Sequence, residues 1–296
     1  MERISRASQE PIAIVGLAFQ FPQGAIDEES LWEKLMNREC TSTEFPKERL
    51  NIEAFHNPDI KSQGTQRGLL ETTYHAIENA SIRRSDIAGS NTSVHVGSFC
   101  NDYMAFVLRD EEQIPTYNAT GCSQTLLSNR ISWGFDLRGT SLTIDTASST
   151  AICAASNVIF SPENLITLSN MNFLSPDGKC FSFDHRENGY ARGEGFASLI
   201  LKPLSKAIED GDTIRSLIRS TRSNQDGHTT GGITQPSKGA QKNLIAETYQ
   251  VAGLDLRETR LFEGHGTGTA VGDPIEAAAI GETFRRFRSD NDSLFV

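Results

Sequence analysis

Apolar runs of strand length alternate with helix-periodic segments along most of this chain, and that alternation constrains the fold more than any other feature. Residues 11–16 (PIAIVG) read as a buried strand running into a glycine turn. Residues 28–36 read as a short amphipathic helix, and Leu69, Leu70, Thr73, Tyr74, Ile77 and Ala80 recur at helical spacing on one face. Between them, residues 41–68 are polar, carry Pro46, Pro58, Gly64 and Gly68, and show no strong element. Further strands are predicted over 92–97, 141–145, 151–157, 196–201, 214–220 and 260–263. Helices are predicted over 124–133, 205–210 and 238–252, with a turn at Asp210-Gly211-Asp212. The string Asp273-Pro274-Ile275-Glu276 reads as a helix start, with a capping aspartate, a proline at the first helical position and a capping-box glutamate. Together these segments predict an α/β protein with a mixed or parallel sheet, and no linker, repeat or low-complexity tract divides it.

Composition narrows the function classes. With 28 Lys and Arg against 38 Asp and Glu, the net charge is −10, and no basic cluster is present, which argues against a nucleic-acid partner. No apolar run reaches the length of a membrane span, and the polar first ten residues lack the apolar stretch of a signal peptide. The five cysteines are odd in number and none have CxxC spacing, so neither a metal site nor a disulfide framework is predicted. A cytoplasmic location is the expectation. A dinucleotide site is not expected, because no G-x-G-x-x-G follows a strand and opens a helix.

Two stretches carry chemistry. Thr143-Ile144-Asp145-Thr146-Ala147-Ser148-Ser149-Thr150 takes a strand into a small-residue turn, where a nucleophile is commonly presented. Residues 263–276, EGHGTGTAVGDPIE, place a histidine between glycines, after a strand and before a helix start. Glycines let backbone approach a ligand closely, threonines offer hydroxyls, and a helix N-terminus adds donors. A Gly-His-Gly turn on its own is more often a solvated turn than a site; the length of the string shifts that balance.

Both stretches resemble the motifs of β-ketoacyl synthases, most closely the ketosynthase domain of fungal type I polyketide synthases. Matching strings recur in the family's order: residues 10–16, Asn129-Arg130-Ile131-Ser132-Trp133, residues 174–180 (LSPDGKC), residues 189–195 (GYARGEG) and Asn224-Gln225-Asp226-Gly227. The resemblance implies a thiolase-like, layered αβαβα fold over residues 10–296, after an N-terminal extension of residues 1–9. That span corresponds to the family's N-terminal half and the start of its C-terminal half. It also implies a homodimer and an acyl carrier protein as partner. The implied reaction is decarboxylative Claisen condensation of acyl and malonyl thioesters. The resemblance implies no directly bound cofactor, with the carrier's phosphopantetheine as the substrate arm. By position, Ser148 takes the place of the nucleophilic cysteine, His265 that of the first catalytic histidine, and Thr267 and Thr269 those of threonines that contact the arm.

The chain departs from the family pattern in four places. Serine stands at 148, and a serine hydroxyl is a far weaker acid than a thiol. The helix expected to begin at the nucleophile is absent after Ser149-Thr150, and a second segment is absent between Gly68 and Leu69. The family's lysine and second histidine would fall after Val296, so a truncated gene product or a gene model that skips exons is expected. These departures predict impaired condensation. The alternatives are a non-catalytic remnant that binds carrier protein or acyl-pantetheine, and a weak serine-dependent thioester acyltransferase or hydrolase, although no G-x-S-x-G elbow is present. Cys153, with apolar neighbours, is expected to be a buried strand cysteine rather than a replacement nucleophile. Apolar faces left without partners are expected to be exposed.

Overall fold

The computed structural model describes residues 10–43, 65–99, 102–108, 114, 116–144, 152–160, 162–229, 231–232, 235–289 and 292–296. The N-terminal extension, Asp145 and Ser148 lie outside the described residues. The chain forms two compact units, one made of Ile12–Thr167 and Gly193–Leu217, the other of Met1–Pro11, Leu168–Arg192 and Ile218–Val296.

The first unit is built on a mixed sheet. Its strands are β1 (Ile12–Gln20), β2 (Val94–Ser98), β3 (Ser141–Ile144), β4 (Ile152–Asn157), β5 (Gly195–Pro203) and β6 (Ser216–Ile218), in the order β3-β2-β4-β5-β1-β6. β2 runs parallel to both β3 and β4, whereas β5 is antiparallel to β4 and β1. β3 and β4 therefore point the same way on either side of β2, with only residues 145–151 between them. Parallel neighbours are ordinarily joined by a crossover of about a dozen residues or more, usually a helix.

One face of this sheet holds the core. Val94, Val96, Ile152, Ala154, Phe196 and Ile200 pack there with Leu69 and Ile77 of α2 (Thr65–Asn79) and with Leu127, Ile131 and Phe135 of α3 (Thr125–Phe135). Each large side chain taken fully out of water there contributes about 1.5–3 kcal/mol. α4 (Leu204–Glu209) contacts β1 and β5, and its Ala207 is fully buried.

Several expectations need correction. Gly16 does not end the first strand, which runs on to Gln20 with a register shift between Ile14 and Gly16. The glycine is there because α2 lies directly against it: a Cβ would sit 2.4 Å from the Ala76 carbonyl oxygen and 2.6 Å from the Ala80 Cβ. α2 begins at Thr65, inside the stretch read as irregular, and continues unbroken through Gly68 and Leu69. Its buried face holds Gly68, Leu69, Thr72, Thr73, Ala76 and Ile77, leaving Tyr74 exposed. Thr72 and Thr73 replace apolar residues on that face because both are satisfied locally. The Thr72 hydroxyl donates to the Gly68 carbonyl, and Thr73 shares a buried hydrogen bond of 3.1 Å with Ser198. α1 (Glu28–Met36) matches its predicted bounds, and Asp27 and Ser30 form its capping box. Its Trp32, Leu35 and Met36 are exposed. β6 is shorter than the predicted 214–220. Cys153 is in β4 as expected but only half-buried.

In the second unit, α5 (Lys238–Ala252) packs on α6 (Gly272–Phe284). α5 has the predicted bounds, with Ser237 capping its start and left-handed Gly253 ending it. The strand predicted over 260–263 is reduced to one parallel bridge, Leu261 to Phe295, and both side chains are exposed.

Candidate active-site loop

The second unit folds the motif of residues 263–272 into a loop tied down by carboxylates. Gly268 has φ +71°, and a Cβ there would lie 2.8 Å from the Phe181 nitrogen and 3.0 Å from the Gly189 carbonyl oxygen. Only glycine fits both the torsion and the space. The Gly189 N–H donates to the Gly268 carbonyl at 2.8 Å, which joins the start of the 189–195 motif to the loop. Residues 174–180 join through a bridge between Leu174 and Tyr190. Leu174, Gly189, Tyr190 and Gly268, from three motifs distant in sequence, thus meet within one unit.

The helix start departs from the sequence reading. Asp273 is not the cap: α6 begins one residue earlier, at Gly272 after Val271, and Pro274 is its third residue, not its first. The fully buried Asp273 carboxylate turns back into the loop. There it accepts from the backbone N–H of Gly268 (3.0 Å to each oxygen), Thr269 (3.4 Å) and Phe183 (2.8 Å). Glu276 turns back in the same way, taking the N–H of His265 at 2.7 Å and of Gly266 at 2.9 Å, one on each oxygen. Glycine-rich backbone turns more N–H groups inward than the helix can satisfy, and the two acids supply the acceptors.

The expected site residues are placed as follows. His265 is exposed, with its backbone held by Glu276; among the described residues its imidazole has no hydrogen-bond partner. Thr267 and Thr269 are half-buried and bonded to one another at 3.0 Å. Thr267 donates its proton to Asp273 at 3.2 Å, so in their shared bond Thr269 is the donor. Thr269 in turn accepts the Gly272 N–H at 3.2 Å. Both hydroxyl protons are committed to the loop, and what the pair offers a ligand is oxygen lone pairs. Ser148 is not described; β3 is described as far as Ile144.

Sequence reading missed Asp273 and Glu276 as loop anchors, and missed Phe183 altogether. Phe183 has φ +57°, a left-handed conformation that costs a non-glycine residue energy, and its ring lies against Gly264 and Gly266. The Ser182 hydroxyl beside it donates to the Gly266 carbonyl. The Arg186 guanidinium then holds the Asp184 carboxyl well below the usual carboxylate range through bonds of 2.9 and 2.8 Å. The available signal was the acidic pair Asp273 and Glu276 following a loop that contains four glycines.

Comparison with known proteins decides the family. The profile of the β-ketoacyl synthase N-terminal domain matches residues 9–68, 62–155 and 148–207, and that of the C-terminal domain matches residues 215–296. The chain belongs to the β-ketoacyl synthase family. The N-terminal match is broken at 62–68 and 148–155, the places where the sequence departs from the family pattern. Among curated relatives, the highly reducing polyketide synthase Preu1 of Preussia isomera is 43% identical over 340 positions, covering 97% of this chain and 14% of its own length. The reducing polyketide synthase pksF of Alternaria solani is 43% identical over 341, covering 97% and 15%. Each alignment is longer than the 296-residue chain, so these relatives carry residues that the chain lacks. The ketosynthase from module 6 of the Bacillus subtilis bacillaene synthase superposes with a TM-score of 0.82 at 26% identity, over 97% of this chain and 56% of that domain. An oxazolomycin ketosynthase domain from Streptomyces albus superposes with a TM-score of 0.81 at 26% identity, over 95% and 57%. The fold is therefore the thiolase-like α/β fold, and this β-ketoacyl synthase chain spans little more than half of the solved domains and about one seventh of those two curated relatives. No described helix is long and apolar enough to cross a membrane, and no group of three or more His, Cys, Asp or Glu that could hold a metal ion occurs among the described residues.

Proposed function

We propose that this β-ketoacyl synthase chain binds the acyl-phosphopantetheine arm of an acyl carrier protein at the glycine loop and is impaired in condensation. The observation that carries the reading is the double carboxylate anchoring of the loop. Asp273 and Glu276 fix the backbone from His265 to Thr269, so His265, Thr267 and Thr269 are presented in one conformation before any ligand arrives. The threonine oxygens suit the amide N–H groups of a pantetheine arm, and the exposed imidazole at 265 suits a thioester or enolate oxygen. No further cofactor enters the reading. The expected assembly is a homodimer, and the expected compartment is the cytoplasm.

The impaired step is acyl transfer to residue 148. A ketosynthase nucleophile must be a thiolate near neutral pH, which serine does not provide without a strong base. The sequence also leaves only residues 145–151 between the parallel strands β3 and β4, fewer than the dozen or so that ordinarily carry a crossover helix. Two assays on the full chain test the proposal. Hexanoyl carrier protein is titrated by calorimetry, and hexanoyl plus malonyl carrier proteins are assayed for a β-ketoacyl product by mass spectrometry. Binding without product is expected. A condensation product or an absence of binding would overturn the proposal, and an acyl adduct on Ser148 would favour a serine-dependent acyltransferase or hydrolase instead.

A further inference from the structure

The sheet face opposite the core carries a pair of reactive groups outside the loop. In register across five strands lie Leu142, His95, Cys153, Leu199 and Leu17. Partners in one row share a face, so His95 and Cys153 occupy paired positions on adjacent parallel strands, flanked by leucines. The next row on the same face is Ile144, Gly97, Ala155, Ala197 and Phe19. Three small residues thus floor a trough between Ile144 and Phe19, right beside the pair. The trough continues into a cavity of about 540 Å³ at the strand ends, whose lining includes Phe21, Phe99, Ile144, Asn157 and Glu194. That volume is in the range of small-ligand sites, and the walls are mainly apolar, with Ser98, Ser156, Asn157 and Glu194 the polar residues among them. Neither row contains another titratable residue.

We propose that Cys153 and His95 form a thiol–imidazole pair that accepts an acyl group from a thioester, with the acyl chain lying in the trough. Cys153 is half-buried rather than sealed in the core, as a nucleophile must be. His95 Nδ1 is buried and has no hydrogen-bond partner among the described residues. Burial pushes the His95 pKa down, which keeps the imidazole neutral and able to take a proton near neutral pH. The Cys153 Sγ–H proton passes to the imidazole as sulfur attacks the thioester carbonyl. The new carbon–sulfur bond forms to Cys153, the old one to the donor thiol breaks, and the imidazolium returns the proton to the departing thiolate. One thioester is exchanged for another, and no oxidant or further reactant is needed. The choice of a thioester as donor rests on the function proposed above.

The test incubates the full chain with hexanoyl-N-acetylcysteamine and maps the adduct by tandem mass spectrometry. Hexanoylation is expected at Cys153 ahead of the exposed Cys40 and Cys180, and about 100-fold more slowly in His95→Gln. Unfolding in urea should abolish the preference for Cys153, a control that needs no variant to fold. An adduct on Ser148, equal labelling of Cys40, Cys180 and Cys153, no adduct, or an unchanged rate in folded His95→Gln would overturn the proposal. The small thioester contains no carrier protein, so a failure of carrier binding is read separately.

Discussion

Gly268 donates one backbone N–H to both carboxylate oxygens of Asp273, at 3.0 Å each, inside a pocket where Asp273 is 1% exposed. A carboxylate buried this deeply is tolerated because the Phe183 and Thr269 N–H groups and the Thr267 hydroxyl also reach it. The relation runs both ways: the loop satisfies the acid, and the acid fixes the loop.

Replacing Asp273 by alanine strips several buried donors of their acceptor at once. Each unsatisfied group costs about 1–3 kcal/mol, so Asp273→Ala should lose about 3 kcal/mol or more. Asp273→Asn, which keeps one acceptor oxygen but turns an NH2 toward donors, should recover little of this. Urea denaturation of the three proteins checks both statements.

Glu276 acts on a less buried part of the same loop, so its removal should loosen the loop more than it destabilises the fold. Glu276→Gln is expected to cost about 1 kcal/mol. It should also raise amide hydrogen exchange selectively at His265 and Gly266, whose N–H groups it accepts at 2.7 and 2.9 Å. Unchanged exchange at those two amides would mean that the anchoring has no dynamic consequence. Under the proposed function, carrier binding should weaken along with the anchoring.

How much of this was legible in the sequence depends on how local the cause is. α5 and α1 were placed to the residue because their caps, Ser237 and Asp27, act within one turn. Gly16 was misread because the reason for it, the approach of Ala76 and Ala80, lies some sixty residues away in sequence. Asp273 and Glu276 were misread because aspartate, proline and glutamate in that order imitate a capping box, while their true partners are amides of the preceding loop. The family strings made the fold and the loop residues recognisable. The pairing of His95 with Cys153 was invisible until strand register was known, since β2 and β4 are not consecutive.

Two glycines should respond oppositely to the same substitution. Gly16→Ala forces a methyl to within 2.4 Å of the Ala76 carbonyl oxygen, a backbone atom that moves only if α2 moves. A loss of about 1–3 kcal/mol is expected. Gly281 lies within α6, and a Cβ there meets nothing within 4 Å. Gly281→Ala should therefore stabilise by about 0.5–1 kcal/mol through helix propensity alone. Thermal denaturation of both variants against the parent should move in opposite directions.

Glu282 gives a pH-dependent prediction. It reaches from α6 to α5, where Lys238 and Lys242 each donate to one of its carboxylate oxygens at 2.7 Å. Those hydrogen bonds lower its pKa from 4.5 to about 2. A carboxyl whose folded pKa lies below its unfolded value contributes stability above the unfolded pKa, and that contribution disappears as pH falls through the folded one. The urea midpoints of the parent and Glu282→Gln should therefore differ by a constant amount from pH 7 down to about 5. The difference should shrink as the pH falls from about 4.5 and disappear only as the pH falls through about 2. Added salt should narrow the gap at pH 7, because both lysines and the carboxylate face solvent. A gap that persists once the pH has fallen below the folded pKa, or that salt leaves untouched, would mean that Glu282 stabilises through packing and not through its charge.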